Sequence, residues 1–216
     1  MKKYLLMLFG LTAVVAPLWA QNPDPGPSVE VTGGVNQSRF SDEGAECLLG
    51  VFFGADVVWC ERSPLRFSTG MNFRSSGSKY KSGEDFGEGE SYSFETRETL
   101  RYLNVPVEAR YQFGAGKIKP FVHAGGTLGF LLSAKSKSTI NFNGRKTENE
   151  TDIKNQKKST NLALNLGGGV AFPLGRFRGV ASVRYMIGLT NIVKNAEAPS
   201  AKTNDLSYTV GLALPF

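Results

Sequence analysis

Long hydrophobic runs are the first thing this 216-residue sequence lacks. After Ala20 no stretch approaches the roughly 18 consecutive apolar residues of a membrane-spanning helix. Sustained helical periodicity is also missing, which argues against a helical bundle. Histidine occurs once, at His123, and cysteine twice, at Cys47 and Cys60. No Cys/His/carboxylate cluster has metal-ligand spacing, so no metal, cofactor or catalytic group is expected. The net charge is +6, but the positive charge is concentrated in connecting segments. No basic strip is interleaved with aromatics, which argues against nucleic acid as a partner.

What is present begins with an export signal. Lys2 and Lys3 precede an apolar run from Tyr4 to Val15, and Leu18-Trp19-Ala20 ends in a small residue. This is the pattern of a signal peptide over residues 1–20, cleaved after Ala20. Residues 21–27 form a Pro-rich stub that can be neither helix nor central strand. The remaining 28–216 holds most of the 25 glycines and 15 phenylalanines, a composition that points to all-β structure.

Eight segments read as strands: Ser28–Ser38, Leu48–Trp59, Leu65–Ser75, Thr99–Phe113, Ile118–Ser133, Thr160–Pro173, Arg178–Thr190 and Asn204–Phe216. Each matches or exceeds the roughly 9–11 residues of a tilted strand crossing a bilayer. The connections alternate in length. Cys60–Pro64, Gly114–Lys117 and Leu174–Phe177 are short, whereas 76–98 and 134–159 are long and polar. Short turns on one side and long loops on the other is the layout of an outer-membrane barrel, with the turns and both termini periplasmic.

Parity along the strands assigns the faces, because alternate residues point to opposite sides. In the last strand Leu206, Tyr208, Val210, Leu212 and Leu214 share one face, and Ser207, Thr209, Gly211 and Ala213 the other. The fourth strand sets Leu103, Val105, Val107, Ala109 and Tyr111 against Tyr102, Asn104, Pro106, Glu108, Arg110 and Gln112. One face is apolar in strand after strand. The other carries glycine, small polar residues and the charges, the reverse of a soluble barrel with an apolar cavity. The charged face is therefore the inside. Glu30, Asp56, Arg66, Arg74, Glu108, Arg110 and Arg184 are expected to meet in the lumen, paired because buried charges must be. The expected fold is an eight-stranded antiparallel up-and-down transmembrane β-barrel.

Several shorter features read blandly beside that frame. Cys47 and Cys60 would flank one continuous strand, about 40 Å apart, too far for a disulfide. His123 faces inward as a hydrogen-bonded lumen residue. Gly114-Ala115-Gly116-Lys117 lacks the upstream glycine and following helix of a phosphate loop and reads as a turn. The acidic run from Glu84 to Glu90 does not match a calcium loop. The cations between Lys135 and Lys158 could meet lipopolysaccharide or a partner, with a solvated loop as the default. Asn36-Gln37-Ser38 and Asn149-Glu150-Thr151 match a glycosylation pattern fortuitously.

Four motifs carry a family resemblance. Tyr102-Leu103-Asn104-Val105-Pro106 through Tyr111 resembles the YLxxPxxxxY strand of the PorT-like outer-membrane β-barrel family. Lys119-Pro120-Phe121-Val122-His123-Ala124-Gly125 resembles that family's next strand. Arg184-Tyr185 followed by Gly188-Leu189-Thr190-Asn191-Ile192 resembles its RYxxGLxNI segment, and Gly211–Phe216 its closing strand. The resemblance implies that the terminal aromatic, Phe216, is read by the barrel-insertion machinery. It also implies a link to type IX secretion, the process tied to the founding member. The reading that follows is a small non-enzymatic outer-membrane barrel acting through the loops 76–98 and 134–159. Its surroundings would be outer-membrane lipids and lipopolysaccharide. The alternatives are a secretion or envelope-assembly accessory and, further off, a narrow pore or membrane enzyme.

Overall fold

The computed structural model describes residues 26–60, 63–87, 90–114, 116–142, 145–195 and 200–215, without the side chains of 84–92 and 215. The expected signal peptide, most of the Pro-rich stub and Phe216 lie outside the described residues. Nine strands follow one another: β1 (Ser28–Phe40), β2 (Glu46–Trp59), β3 (Leu65–Gly87), β4 (Glu90–Gln112), β5 (Lys119–Phe142), β6 (Arg145–Asp152), β7 (Thr160–Leu174), β8 (Phe177–Gly188) and β9 (Thr203–Pro215). Eight of them close a ring in the order β1-β2-β3-β4-β5-β7-β8-β9. Every neighbouring pair is antiparallel. The ladder from Ser28↔Pro215 to Phe40↔Thr203 joins the two ends of the chain. The expected eight-stranded ring is what forms, and closure removes the sheet edges that an open sheet would expose.

The outward face is apolar, with Val31, Phe53, Met71, Val107, Leu166 and Val210 each more than half exposed. Burying one such side chain is worth about 1.5–3 kcal/mol, so a belt of them left in water would oppose folding. The medium around this face is hydrocarbon. None of the described helices is long and apolar enough to cross a membrane; the strands do so.

Two expectations need correction. The segments 76–98 and 134–159 are not loops for most of their length. β3 and β4 continue past Ser76 and Glu98 to a tip between Gly87 and Glu90, and β5 continues to Phe142 before β6 returns. Together they form a four-stranded blade standing on one side of the barrel's rim, at the end away from the chain termini. From Arg101 to Tyr92 it rises about ten residues, roughly 30 Å along the strand. Apolar alternation is the sequence signal for a membrane strand, and it stops where lipid stops; the backbone pairing does not. The second correction is smaller. β1 extends to Phe40, and β8 ends at Gly188 rather than Thr190.

A bulge between Arg101 and Tyr102 leaves Leu132 of β5 without an opposite residue and marks the base of the blade. On the facing side the rim is low. The segments 153–159, 189–195 and 200–202 fold over the mouth, where Ile153, Ile192 and Ala201 pack on Phe40, Leu100, Tyr102, Leu131 and Ala134. Backbone bonds from Ile153 N to Ala134 O, Lys158 N to Ile192 O, Ile192 N to Ala201 O and Lys194 N to Gln156 O tie this lid down. Asn191 Oδ1 accepts from the backbone N–H groups of both Val193 and Ala201.

Candidate functional site

All seven side chains expected in the lumen are buried there, none more than 7% exposed. Alternation alone places them, since β1, β2, β3, β4 and β8 each turn their even-numbered residues inward at this level. Arg110 of β4 forks onto Glu30 of β1 across the barrel, with Nη1–Oε2 at 2.8 Å and Nη2–Oε1 at 3.1 Å. Its guanidinium carbon also lies 4.3 Å from the centre of the Phe121 ring. Glu108 is the second node. Arg184 Nη2 donates to its Oε2 at 3.0 Å and Asn165 Nδ2 to its Oε1 at 2.9 Å. His123 Nδ1 stands 3.2 Å from the same Oε2.

The glycines of this layer make room for it. A Cβ on Gly167 would lie 2.5 Å from His123 Nε2 and 2.3 Å from the Val183 carbonyl oxygen. Arg74 lies over the Phe52 ring, 5.1 Å from its centre. Arg66 bonds the Ser63 carbonyl at the end of the barrel that holds the short turns. Asp56 is buried opposite Gly70.

One lumen acid escaped the sequence reading. Asp205 of β9 is fully buried and accepts from Asn36 Nδ2 at 3.0 Å and Ser76 Oγ at 2.8 Å. It shares parity with Ser207 and Thr209, and extending that pattern one step would have found it. With Asp205 the buried acids Glu30, Asp56, Glu108 and Asp205 equal the arginines Arg66, Arg74, Arg110 and Arg184. Asn36 is likewise fully buried, so its glycosylation pattern is inaccessible. Cys47 and Cys60 are free and exposed near opposite ends of β2.

Above the lumen, Lys157 reaches under the lid to Glu98 at 2.7 Å. Tyr80 donates to Asp42 Oδ2 at 2.6 Å. Burial and that carboxylate push the Tyr80 hydroxyl well above the usual phenol range, so it stays a donor. Of the cations expected to face lipopolysaccharide from 134–159, three already have acids. Lys157 has Glu98, Lys135 has Glu150 at 2.5 Å, and Lys137 has Glu148 at 2.6 Å. The last two pairs cross from β5 to β6 on the blade's outer face. Arg97–Glu95 and the Lys79 and Lys81 contacts with Glu46 continue that ladder. On the inner face Thr96 and Ser138 share a hydrogen bond, and Ile140 and Phe142 are exposed. β6 is exposed along its whole length and pairs with β5 alone. No group of three His, Cys, Asp or Glu side chains among the described residues is arranged to hold a metal.

A family profile described as "Outer membrane protein beta-barrel domain" matches residues 19–194. The chain belongs to that family. Members sit in the outer membrane, which fixes the location of this barrel and the hydrocarbon around its belt. No curated protein sequence matches. Among solved structures, Neisserial surface protein A is similar at 14% identity and a TM-score of 0.49, covering 88% of this chain and 99% of that one. The N-terminal barrel domain of Pseudomonas aeruginosa OprF is 14% identical with a TM-score of 0.40, covering 88% and 97%. The outer membrane enzyme PagL is 13% identical with a TM-score of 0.39, covering 88% and 100%. These likenesses concern the barrel fold of the family and not its chemistry.

Proposed function

We propose that this protein is a non-enzymatic outer-membrane barrel that presents its blade as an extracellular binding surface. One observation carries the reading. The blade is a folded four-stranded sheet that leaves Ile140 and Phe142 exposed beyond the lipid belt, where water rather than hydrocarbon surrounds them. Exposed apolar groups rimmed by polar ones mark interaction sites, and here Thr96, Ser138, Thr147 and Asn149 are their neighbours on the same face. The lid and the salt-bridged lumen support a filled barrel over a pore. A catalytic role finds little support either, because His123 and Glu108 are sealed inside against Arg184.

The test replaces 78–98 and 135–152 by two-residue turns. The shortened barrel should still shift on heating in gel electrophoresis, as folded barrels do, while a photo-crosslinker at Phe142 of the full protein captures an extracellular partner in cells. A blade-less barrel that restores every phenotype of a deletion strain would overturn the reading.

The PorT-like motifs support a second reading, an accessory of protein secretion acting through the periplasmic turns. In that case the blade-less barrel restores secretion, and exchanging the turn residues at 113–118 and 175–176 abolishes it.

A further inference from the structure

The low side of the barrel carries a site of a different kind. The outer wall of β7, β8, β9 and β1 is indented by a groove of about 430 Å³ that opens to the bilayer. Its floor holds Gly168 and Ala181, and its sides are Val35, Val170, Val183 and Tyr208. One row of cross-strand partners, Val35↔Tyr208, Tyr208↔Val183 and Val183↔Gly168, fixes these residues at a common level. The groove exists because two small residues stand in a wall of valines, and it is shallow, open to lipid along most of its face.

Directly above it on β1 and β9 lies a polar cluster. Gln37 and Arg39 are exposed while their neighbours Asn36, Ser38 and Phe40 are buried, so both point outward. Arg39 pairs in register with Asn204. Lys202 is held beside them by reciprocal bonds with Ser41, from Ser41 N to Lys202 O and from Lys202 N to Ser41 Oγ, each 3.0 Å. Lys202 is exposed between the buried Ala201 and Thr203. Arg39 stands four residues above Val35, about 13 Å along the strand. With strands tilted by about 40°, that is roughly 10 Å along the bilayer normal, against the roughly 15 Å depth of one leaflet's hydrocarbon, half of about 30 Å.

Five outward cations of the blade, Lys79, Lys81, Arg97, Lys135 and Lys137, each contact a carboxylate, although Arg101 and Lys146 on the same face contact no carboxylate among the described residues. Arg39 and Lys202 contact none among the described residues. A fork of guanidinium donors and an ammonium, set above an apolar slot on the lipid-facing wall, match a phosphorylated lipid.

We infer that the wall of β7, β8, β9 and β1 is a binding site for one phosphorylated lipid of the outer leaflet, the lipid A part of lipopolysaccharide. Its phosphate sits on Arg39 and Lys202, and one acyl chain fills the groove over Gly168 and Ala181. This site is independent of what the blade binds.

The full mature barrel, purified from membranes in mild detergent, would be titrated with lipid A and with lipid A stripped of its phosphates, and read by native mass spectrometry. One lipid A should bind saturably. R39Q/K202Q should weaken it about tenfold, the scale of losing a charged hydrogen bond. Removing the lipid's phosphates should weaken binding to the wild type by a similar factor. A181L, which fills the groove from the lipid side, should weaken both lipids. Equal binding by wild type and R39Q/K202Q overturns the proposal, as does equal binding of the two lipids. Lipid A binding by a folded A181L barrel at wild-type strength overturns the acyl assignment. The R39Q/K202Q arm lies on the exposed surface and does not depend on A181L folding.

Discussion

Two sets of ion pairs link strands of this molecule, one in the lumen and one on the outer face of the blade. Each joins a cation to a carboxylate at a similar distance. Arg110–Glu30 spans 2.8 Å and Lys137–Glu148 spans 2.6 Å. Their surroundings differ. The lumen pair is 7% and 3% exposed, and the blade pair 45% and 54%. In the lumen the charges have given up water, so each depends on its partner and the loss of one strands the other. On the blade, water and salt screen both charges and compete for them. The lumen set is therefore a condition of folding. The blade set adjusts the register of a surface the protein can vary.

The largest test of that contrast is Glu108→Gln. It keeps the shape of the side chain but removes the charge facing Arg184 and His123. Breaking a buried pair in this way costs about 3–5 kcal/mol, and urea unfolding of barrels refolded into vesicles should show it. Glu108→Gln combined with Arg184→Met removes both charges and should recover much of the loss. A single variant that unfolds with the wild type would erase the distinction between the two sets.

The lid comes next. Ile192 is fully buried against the mouth of the barrel, and Ile192→Ala should cost about 2–5 kcal/mol if the lid packs like a core. A smaller value would mean that the loop collapses around the gap, and faster exchange of the Ile192 and Ala201 amides would show the same loosening. Gly167→Ala should cost about 1–3 kcal/mol, because its Cβ runs into the Val183 carbonyl and the His123 ring. Gly126→Ala is the control. It faces outward, where a Cβ meets nothing nearer than 3.9 Å, and should be neutral.

These residues also show how far the sequence could be read. Glu30, Glu108, Arg110 and Arg184 were legible because a period of two, carried through lipid-crossing strands, leaves charges no other face. Asp205 lay at the end of its strand, where the apolar partners that reveal the period run out. The blade was hidden for the same physical reason. Above Arg101 both faces of β4 and β5 meet water, so neither face needs to be apolar and alternation carries no information. Pairing there is set by backbone bonds and by contacts such as Lys135–Glu150, which join residues 15 apart in sequence. The lid was legible only as a moderate connection, since Ile153 and Ile192 are single apolar residues in polar surroundings and only the fold brings them together.

The smallest expected effect is the most direct probe of the blade set. Hydrogen bonds from Lys137 and Lys135 hold the carboxyls of Glu148 and Glu150 below the ordinary value of 4.5. A lowered value in the folded state means that the contribution is present above the unfolded value and disappears as pH falls through the lowered one. Both groups are exposed, so their protonation by itself should not move the barrel's unfolding midpoint. The effect should stay local. Amide protection of β6, corrected for the intrinsic exchange rate, should fall between pH 5 and pH 3 while that of β8 and β9 holds. Lys135→Gln with Lys137→Gln should abolish the pH dependence of β6 alone. If Lys135→Gln with Lys137→Gln instead loosened β8 and β9 together with β6 at neutral pH, the blade would be coupled to the lumen, and the two sets of ion pairs would form one network.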